Sequence, residues 1–308
     1  CASKKEIVVP KFESKIVSNE KLSCRAIFVD TDKVWLGMDK GRYGFYDKKK
    51  DTLVVKTIQS VSNTTEFRSI AATKDAIFIL AVGNPAKLIK IDKKSLQETI
   101  VYQEENEKVF YDSMQFVDNL NGFAMGDPTE DCLSFIKTTD GGNSWEKISC
   151  VNFPKVSEGE AAFATSNTNL IVKGKSIFMV SGGKKSRVYY SNDKGVSWSV
   201  VKTPIVQGKV MTGIFTADFY DTKNGFIAGG DYEHLQQNSG NKALTKDGGK
   251  TWKLVAENAG FGYASCVQYV PNSKGKGIVA VGASGLHYSS DGGVSWTQFS
   301  NDPALYTI

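Results

Sequence analysis

The stretch TTDGGNSW at 138–145 recurs three more times, as SNDKGVSW at 191–198, TKDGGKTW at 245–252 and SSDGGVSW at 289–296. The shared pattern is [ST]-x-D-x-G-x-[ST]-W, and four of the five Trp residues end a copy. Four copies of a five-position pattern define a repeat protein, in which each unit buries its apolar faces only by stacking on its neighbours. The copies lie about 44–54 residues apart, a period that suits four antiparallel strands with their turns. That unit is one blade of a β-propeller.

Each part of the motif has a turn-making reason. Gly142, Gly195, Gly249 and Gly293 can take the positive φ that bulged hairpin turns require. The carboxylates of Asp140, Asp193, Asp247 and Asp291 can accept N–H bonds inside the turn, and the Ser/Thr hydroxyls add to this. Trp145, Trp198, Trp252 and Trp296 open the next strand, where a ring can pack on the hairpin or on the neighbouring blade. The motif therefore reads as the hairpin between the last two strands of a blade.

Two further repeats precede it. Short apolar strands closed by Gly appear in KVWLGMDKG (33–41), DAIFILAVGN (75–84), NGFAMGD (121–127), KSIFMVSGG (175–183), NGFIAGGD (224–231) and KGIVAVG (276–282). Upstream of these, CRAIFVDTD, FRSIAATKD, DSMQFVDNL, EAAFATSNTN, TADFYDTKN and CVQYVPNSK read as the innermost strands. Six blades follow, over 24–58, 66–103, 110–150, 159–203, 212–256 and 262–300. The tail ALYTI (304–308) matches FRSI of the second blade and reads as the start of a seventh, with ESKIVSN (13–19) as the outer strand that closes the ring; the alternative is that the tail closes a ring of six. The expected fold is all-β, a seven-bladed propeller with six blades visible, forming one domain over 15–308.

The motif resembles the Asp box, or BNR repeat, of sialidases and several other propeller families. The wider pattern NGFAMGD…TTDGGNSW is similar to the photosystem II stability and assembly factor-like (Ycf48-related) propellers, over residues 24–308. This resemblance implies that the boxes are peripheral fold elements away from any ligand site. It also implies a role in assembling or stabilising a membrane-associated protein complex.

The chain opens CASKKE, and a leading Cys is what maturation of a bacterial lipoprotein leaves after signal-peptide removal. Cys1 is therefore expected to carry lipid, residues 1–14 to form a tether, and the protein to be exported and anchored to the outer membrane, on a periplasmic or cell-surface face. An exported protein can oxidise its thiols. Facing residues across the hairpin centred on 140–143 have numbers that sum to about 283, which sets Cys132 opposite or one step from Cys150. A disulfide is expected there, with Cys24 and Cys266 reduced on the innermost strands of different blades. Two His and this Cys spacing fit no metal site.

Catalytic signatures are sparse. Only Arg25, Arg42, Arg68 and Arg187 are present, too few for a sialidase-like site with three Arg on a substrate carboxylate. No Gly-rich nucleotide loop opens a helix, so no cofactor is expected. The net charge of +5 is thinly spread, against nucleic-acid binding. A propeller can instead bind at the ends of its innermost strands. Aligning those strands places Arg25, Arg68 and Glu160 at equivalent positions, Asp112 one place earlier, and Tyr306 with Arg68. The long insertion 229–242 offers Tyr232, His234 and Leu235 as loop contacts. The expected function is a non-enzymatic scaffold that binds proteins; the alternative is a surface propeller that binds or cleaves glycans.

Overall fold

The computed structural model describes residues 12–308, so Cys1 and most of the 1–14 tether lie outside the described residues. Six antiparallel sheets surround a central channel, a six-bladed β-propeller. The innermost strands are Cys24–Val29, Phe67–Ala72, Tyr111–Phe116, Leu170–Lys173, Thr212–Phe219 and Ala264–Tyr269. Each begins at one face of the disc, here the entry face, and its blade zigzags outward through three more strands. The turns after the first and third strands therefore share the opposite, exit face. One backbone bond clips these two turns together in every blade: Lys48 N to Asp32 O (2.9 Å), Lys93 N to Asp75 O (2.9 Å), Gly141 N to Leu120 O (2.9 Å), Lys194 N to Lys175 O (2.9 Å), Gly248 N to Lys223 O (2.9 Å) and Gly292 N to Lys276 O (2.8 Å).

The repeated motifs form the outer hairpins on this exit face. Asp140 Oδ1 accepts the N–H groups of Asn143 (2.9 Å) and Ser144 (3.0 Å) and the Thr138 hydroxyl (2.8 Å), and Asp193, Asp247 and Asp291 repeat the arrangement. The hydroxyl of the leading Ser or Thr in turn accepts the N–H of the motif Gly, as Thr138 does from Gly142 at 2.9 Å. The Gly is needed twice over. Gly142 has φ 77°, and a Cβ there would come within 2.3 Å of Phe78 of the preceding blade; Gly293 stands in the same relation to Phe226.

The Trp rings pin the hairpins in two directions. Trp198, Trp252 and Trp296 each donate Nε1–H to the carbonyl of their own motif Gly, at 3.0–3.1 Å. Their faces meet aromatic rings: Trp145 meets Phe78 and Phe116, Trp198 meets Phe135 and Phe153, and Trp296 meets Phe226 and Phe261. Trp145 is buried and the other three are half-buried.

The core lies between blades. Trp35, Tyr43, Phe67 and Ile79 join the first two; Phe78, Leu88, Met114 and Ile136 the next pair; and Phe178, Ile214 and Phe219 the fourth and fifth. At the far side of blade six the buried set shrinks to Cys266, Val281 and Leu286, with Phe299, Leu305 and Ile308 packed on them. The expected seventh blade is not among the described residues. Residues 304–308 do follow the innermost strand of blade six: Ser265 Oγ reaches Tyr306 O (2.7 Å) and Gln268 Nε2 reaches Ile308 O (2.6 Å). They form no strand, and neither do residues 13–19; there Lys15 pairs with Asp51 of blade one.

The fourth blade departs from the reading of EAAFATSNTN as its innermost strand. That strand is Leu170–Lys173, paired with Ser176–Val180. Glu160–Ala161 instead pairs with Gly182–Gly183, which extends the fifth sheet to six strands. Residues 162–169 cross the channel.

Candidate functional site: a bulge ring and its plug

Five innermost strands carry a β-bulge at the same station. Cys24 and Ala26 pair with Met38 and Gly37, so Arg25 is the extra residue. By the same register shift the extra residues are Arg68, Asp112, Phe215 and Ser265. A bulge re-aims one side chain and leaves backbone groups out of the ladder. Around a channel, five bulges make a ring of redirected side chains and free carbonyls.

Residues 162–169 fill that ring. Thr165 Oγ1 donates to Phe215 O (3.3 Å) and Ser265 O (3.0 Å), both carbonyls of bulge residues. Arg68 Nη1 reaches Ala164 O at 3.3 Å, and Phe163 stacks on Phe215 with centroids 4.0 Å apart. Asn167 bonds Ile70 O (2.8 Å) and Met114 N (2.9 Å), while Thr168 meets Thr216 at 2.7 Å. The hydroxyls and amide of ATSNT are thus the partners of backbone groups that a bare channel would leave unsatisfied.

On the entry side of this plug lies an aromatic and basic surface. The Arg25 guanidinium sits 4.2 Å from the Tyr306 ring centre. Tyr263 meets Phe215 edge-on at 4.8 Å and Tyr232 at 5.2 Å. Burial pushes the Tyr263 hydroxyl well above its ordinary pKa, so it stays protonated. Arg68 is held by Glu66 at 2.6 and 2.9 Å, beside a hollow of about 510 Å³ lined by Thr64, Asn84, Pro85 and Phe110.

Of the sequence candidates, Arg25, Arg68, Tyr306 and Tyr232 therefore reach this mouth. Leu235 is partly exposed on the insertion, where its carbonyl accepts Tyr263 N (2.9 Å). His234 turns to Asp231 at 3.0 Å. Asp112 does occupy the bulge station, in register with Arg25 and Arg68 rather than one place before it, but it is completely buried. Glu160 is a correction: it is not at the mouth. It lies buried against Arg187, whose Nε donates to it at 2.9 Å, and also accepts the Tyr189 hydroxyl (2.8 Å) and Ser157 N (2.8 Å). The strand to which Glu160 was assigned lies in another sheet.

Tyr263, Phe215 and Phe163 were missed, and so was Asp127, which accepts Ala162 N at 2.8 Å at the start of the plug. Phe215 and Tyr263 lie just upstream of the repeat segments as aligned; the bulge register places Phe215 at the ring, and its edge-on contact with Phe215 places Tyr263 there. Lys242 was missed too. It is fully buried, with Nζ donating to Phe261 O (2.9 Å) and Asn241 Oδ1 (2.6 Å), and burial lowers its pKa to about 8. It ties the insertion to the loop before blade six.

The four Arg side chains take separate partners: Tyr306 for Arg25, Asp39 for Arg42, Glu66 for Arg68 and Glu160 for Arg187. Cys132 and Cys150 form a disulfide, with Cα atoms 5.6 Å apart. The ladder of that hairpin ends at Ile136–Lys147, a pair summing to the expected 283, and Cys150 sits beyond it in a short 3-10 turn, Cys150–Asn152. The bond therefore closes the base of the hairpin rather than joining paired strands. Cys24 and Cys266 are free.

No protein-family model matches the chain, and no curated protein matches its sequence. Solved structures share the fold. A structure of Ycf48 bound to a D1 peptide aligns with TM-score 0.64 at 13% identity, over 94% of this chain and 88% of that one. A structure of U3-55K aligns with TM-score 0.63 at 12% identity, over 89% and 79%. The WD40 repeats of RRP9 align with TM-score 0.61 at 11% identity, over 89% and 78%.

Proposed function

We propose that this chain is a non-enzymatic, protein-binding propeller, tethered by lipid on Cys1 to the outer membrane, that serves as a scaffold or assembly factor for a membrane-associated complex. The observation that carries the reading is the entry mouth, where Arg25, Tyr306 and Tyr232 gather over a plugged channel, with the buried Tyr263 packed beneath Tyr232. Tyr and Arg, with Trp, are enriched at the hot spots where proteins bind proteins: Tyr combines large area with two side-chain torsions and a polar tip, and Arg presents a planar fork of donors. The plug gives this surface a fixed floor, which reduces the ordering cost of binding. The similar Ycf48 structure contains a D1 peptide, which supports a peptide or protein ligand for this shape of molecule. The four Asp-centred hairpins fit the Asp-box class and lie on the exit face, opposite the mouth. The separate partners of the four Arg favour binding over sialidase-like cleavage.

A photo-crosslinker placed at Tyr232 should capture a discrete partner from intact cells. Arg25→Ala together with Tyr306→Ala should abolish the capture, and a crosslinker at Val294 on the opposite face should give none. Equal capture from both faces would overturn the binding surface, and turnover of a fluorogenic sialoside would overturn the non-enzymatic assignment. Cys1→Ser should move the protein from the membrane to the soluble fraction.

A further inference from the structure

Blades six and one meet at a seam unlike the other five. In blades two to five every residue of the second strand is buried, over Ala76–Ala81, Gly122–Gly126, Ser176–Val180 and Gly225–Asp231. The second strands that flank the seam differ. Val279 in Ile278–Gly282 of blade six, and Val34 and Leu36 in Lys33–Met38 of blade one, are only half-buried. The buried cluster of blade one reaches blade two, and that of blade six holds only its own residues and the tail. The inner end of the seam is filled. Thr216 and Asp218 of blade five accept Val267 N (2.9 Å) and Tyr269 N (2.7 Å) of blade six, and Gln268 of blade six makes the corresponding reach onto Ile308 O (2.6 Å). The tail therefore stands where a further innermost strand would. The outer rim is bridged by Phe12, whose ring lies 6.1 Å from that of Phe299, and by Lys15, paired with Asp51 of blade one. Between rim and tail runs an apolar groove of about 460 Å³ on the far face of blade six, walled by Phe12, Val279, Leu286, Tyr288, Phe299 and Ile308.

We propose that residues 7–10 of the same chain, IVVP, dock in this groove and cover the far face of blade six. They lie outside the described residues, one position before Lys11, and Phe12 is itself a wall of the groove. Four extended residues span at most about 14 Å, so no other apolar run outside the described residues is so placed. β-branched Ile7, Val8 and Val9 favour an extended backbone, and Pro10 restricts Val9 to it. An extended apolar run is also what the other blade faces receive, as IFMV does at 177–180. Docking removes apolar surface of both partners from water, which is the driving force. The run ends where Glu6 and Lys5 precede Ile7, so its length matches one groove and no more.

The two chain ends then close the seam together, the tail at the channel and the amino-terminal segment at the rim. A consequence follows that rests on the lipid-anchored reading. With residues 7–10 seated, only residues 1–6 separate lipid on Cys1 from the body, at most about 22 Å of extended chain. The rim of the disc is held near the bilayer, and the mouth and the exit face both stay open to partners.

The docking is tested in the full chain. A photo-crosslinker at Val8 should form an adduct within its own chain, on peptides from 268–308, and one at Ala2 should not. The same adduct should form in Cys1→Ser protein, so the docking stands or falls separately from the lipid anchor. Val8→Asp together with Val9→Asp sets two charges against an apolar wall and should raise the fluorescence of an apolar dye at least about twofold. Added EIVVPKF peptide should reverse that rise. An adduct on any other part of the chain, one formed only between two chains, or none at all overturns the proposal. So does dye fluorescence that the Asp pair leaves unchanged, or a rise that the peptide does not reverse.

Discussion

Replacing Glu160 by Gln removes one charge from the most completely enclosed ion pair among the described residues. The Glu160 side chain is fully buried and that of Arg187 is 12% exposed. Glu160 accepts two bonds from Arg187, one each from the Tyr189 and Ser181 hydroxyls, and one from Ser157 N–H. In the Gln variant Oε1 still accepts, but the atom facing Arg187 Nη2 and Ser157 N becomes an NH2 group. Two charge-assisted bonds, each worth about 1.5–3 kcal/mol, are lost. The guanidinium also stays behind without its counter-charge, and breaking a buried pair from one side typically costs about 3–5 kcal/mol. We therefore expect Glu160→Gln to destabilise the protein by about 3–5 kcal/mol. Adding Arg187→Met should recover part of this loss, with a coupling of at least about 1.5 kcal/mol. Urea unfolding followed by Trp fluorescence measures all four corners of the cycle, with the slope checked for constancy. A single-mutant cost below about 1 kcal/mol, or additivity within about 0.5 kcal/mol, would refute the argument.

Trp145→Ala should cost about 3–5 kcal/mol, as for a large buried side chain, and Trp252→Ala measurably less, because its ring is half-buried; the same urea titrations rank them. Cys150→Ser should lower stability by about 2–3 kcal/mol for a loop of 18 residues, and a non-reduced digest should show Cys132–Cys150 as the linked pair with Cys24 and Cys266 as free thiols. Asp140, Asp193 and Asp247 are held at about 2, first by the motif hydroxyl at Ser144, Ser197 or Thr251 and then by turn N–H groups. Their folded values lie below the unfolded ones, so the stabilisation is present above the ordinary carboxylate range and lost as pH falls from about 4 towards 2. Acid unfolding monitored by circular dichroism should begin in that window, and Asp247→Asn should weaken its steepness.

The outer hairpins were legible because their chemistry is local. Asp, Gly and hydroxyl positions a few residues apart specify a turn without reference to the rest of the chain, and the hairpin register at Ile136–Lys147 followed from the turn alone. Blade four was misread because EAAFATSNTN has the apolar run and polar ending of a true innermost strand. The neglected signal was LIVKGKS, a short apolar run closed by a Gly turn, directly before the second strand. The bulge ring was half legible. Arg25 and Arg68 stood out as aligned charges, but a bulge is a property of pairing between strands, so neither Phe215 nor the true station of Asp112 could be read along one strand. The mouth needed the channel plug to be seen at all, because its floor comes from a segment that alignment had placed in a sheet.

The plug also orders events in time. Asn167 bonds Ile70, 97 residues away, and Ser166 bonds Ser265, 99 residues away on the other side. A polar octapeptide such as AFATSNTN has little to gain from collapsing early; its partners are carbonyls that exist as a set only once blades two, three, five and six stand around it. Closing such long loops has an entropic cost before any bond offsets it. The segment should therefore lock last, after both halves of the ring have formed. A nascent chain leaving the ribosome carries it loose until blade six emerges, and ring assembly and completion of the mouth become the same final step.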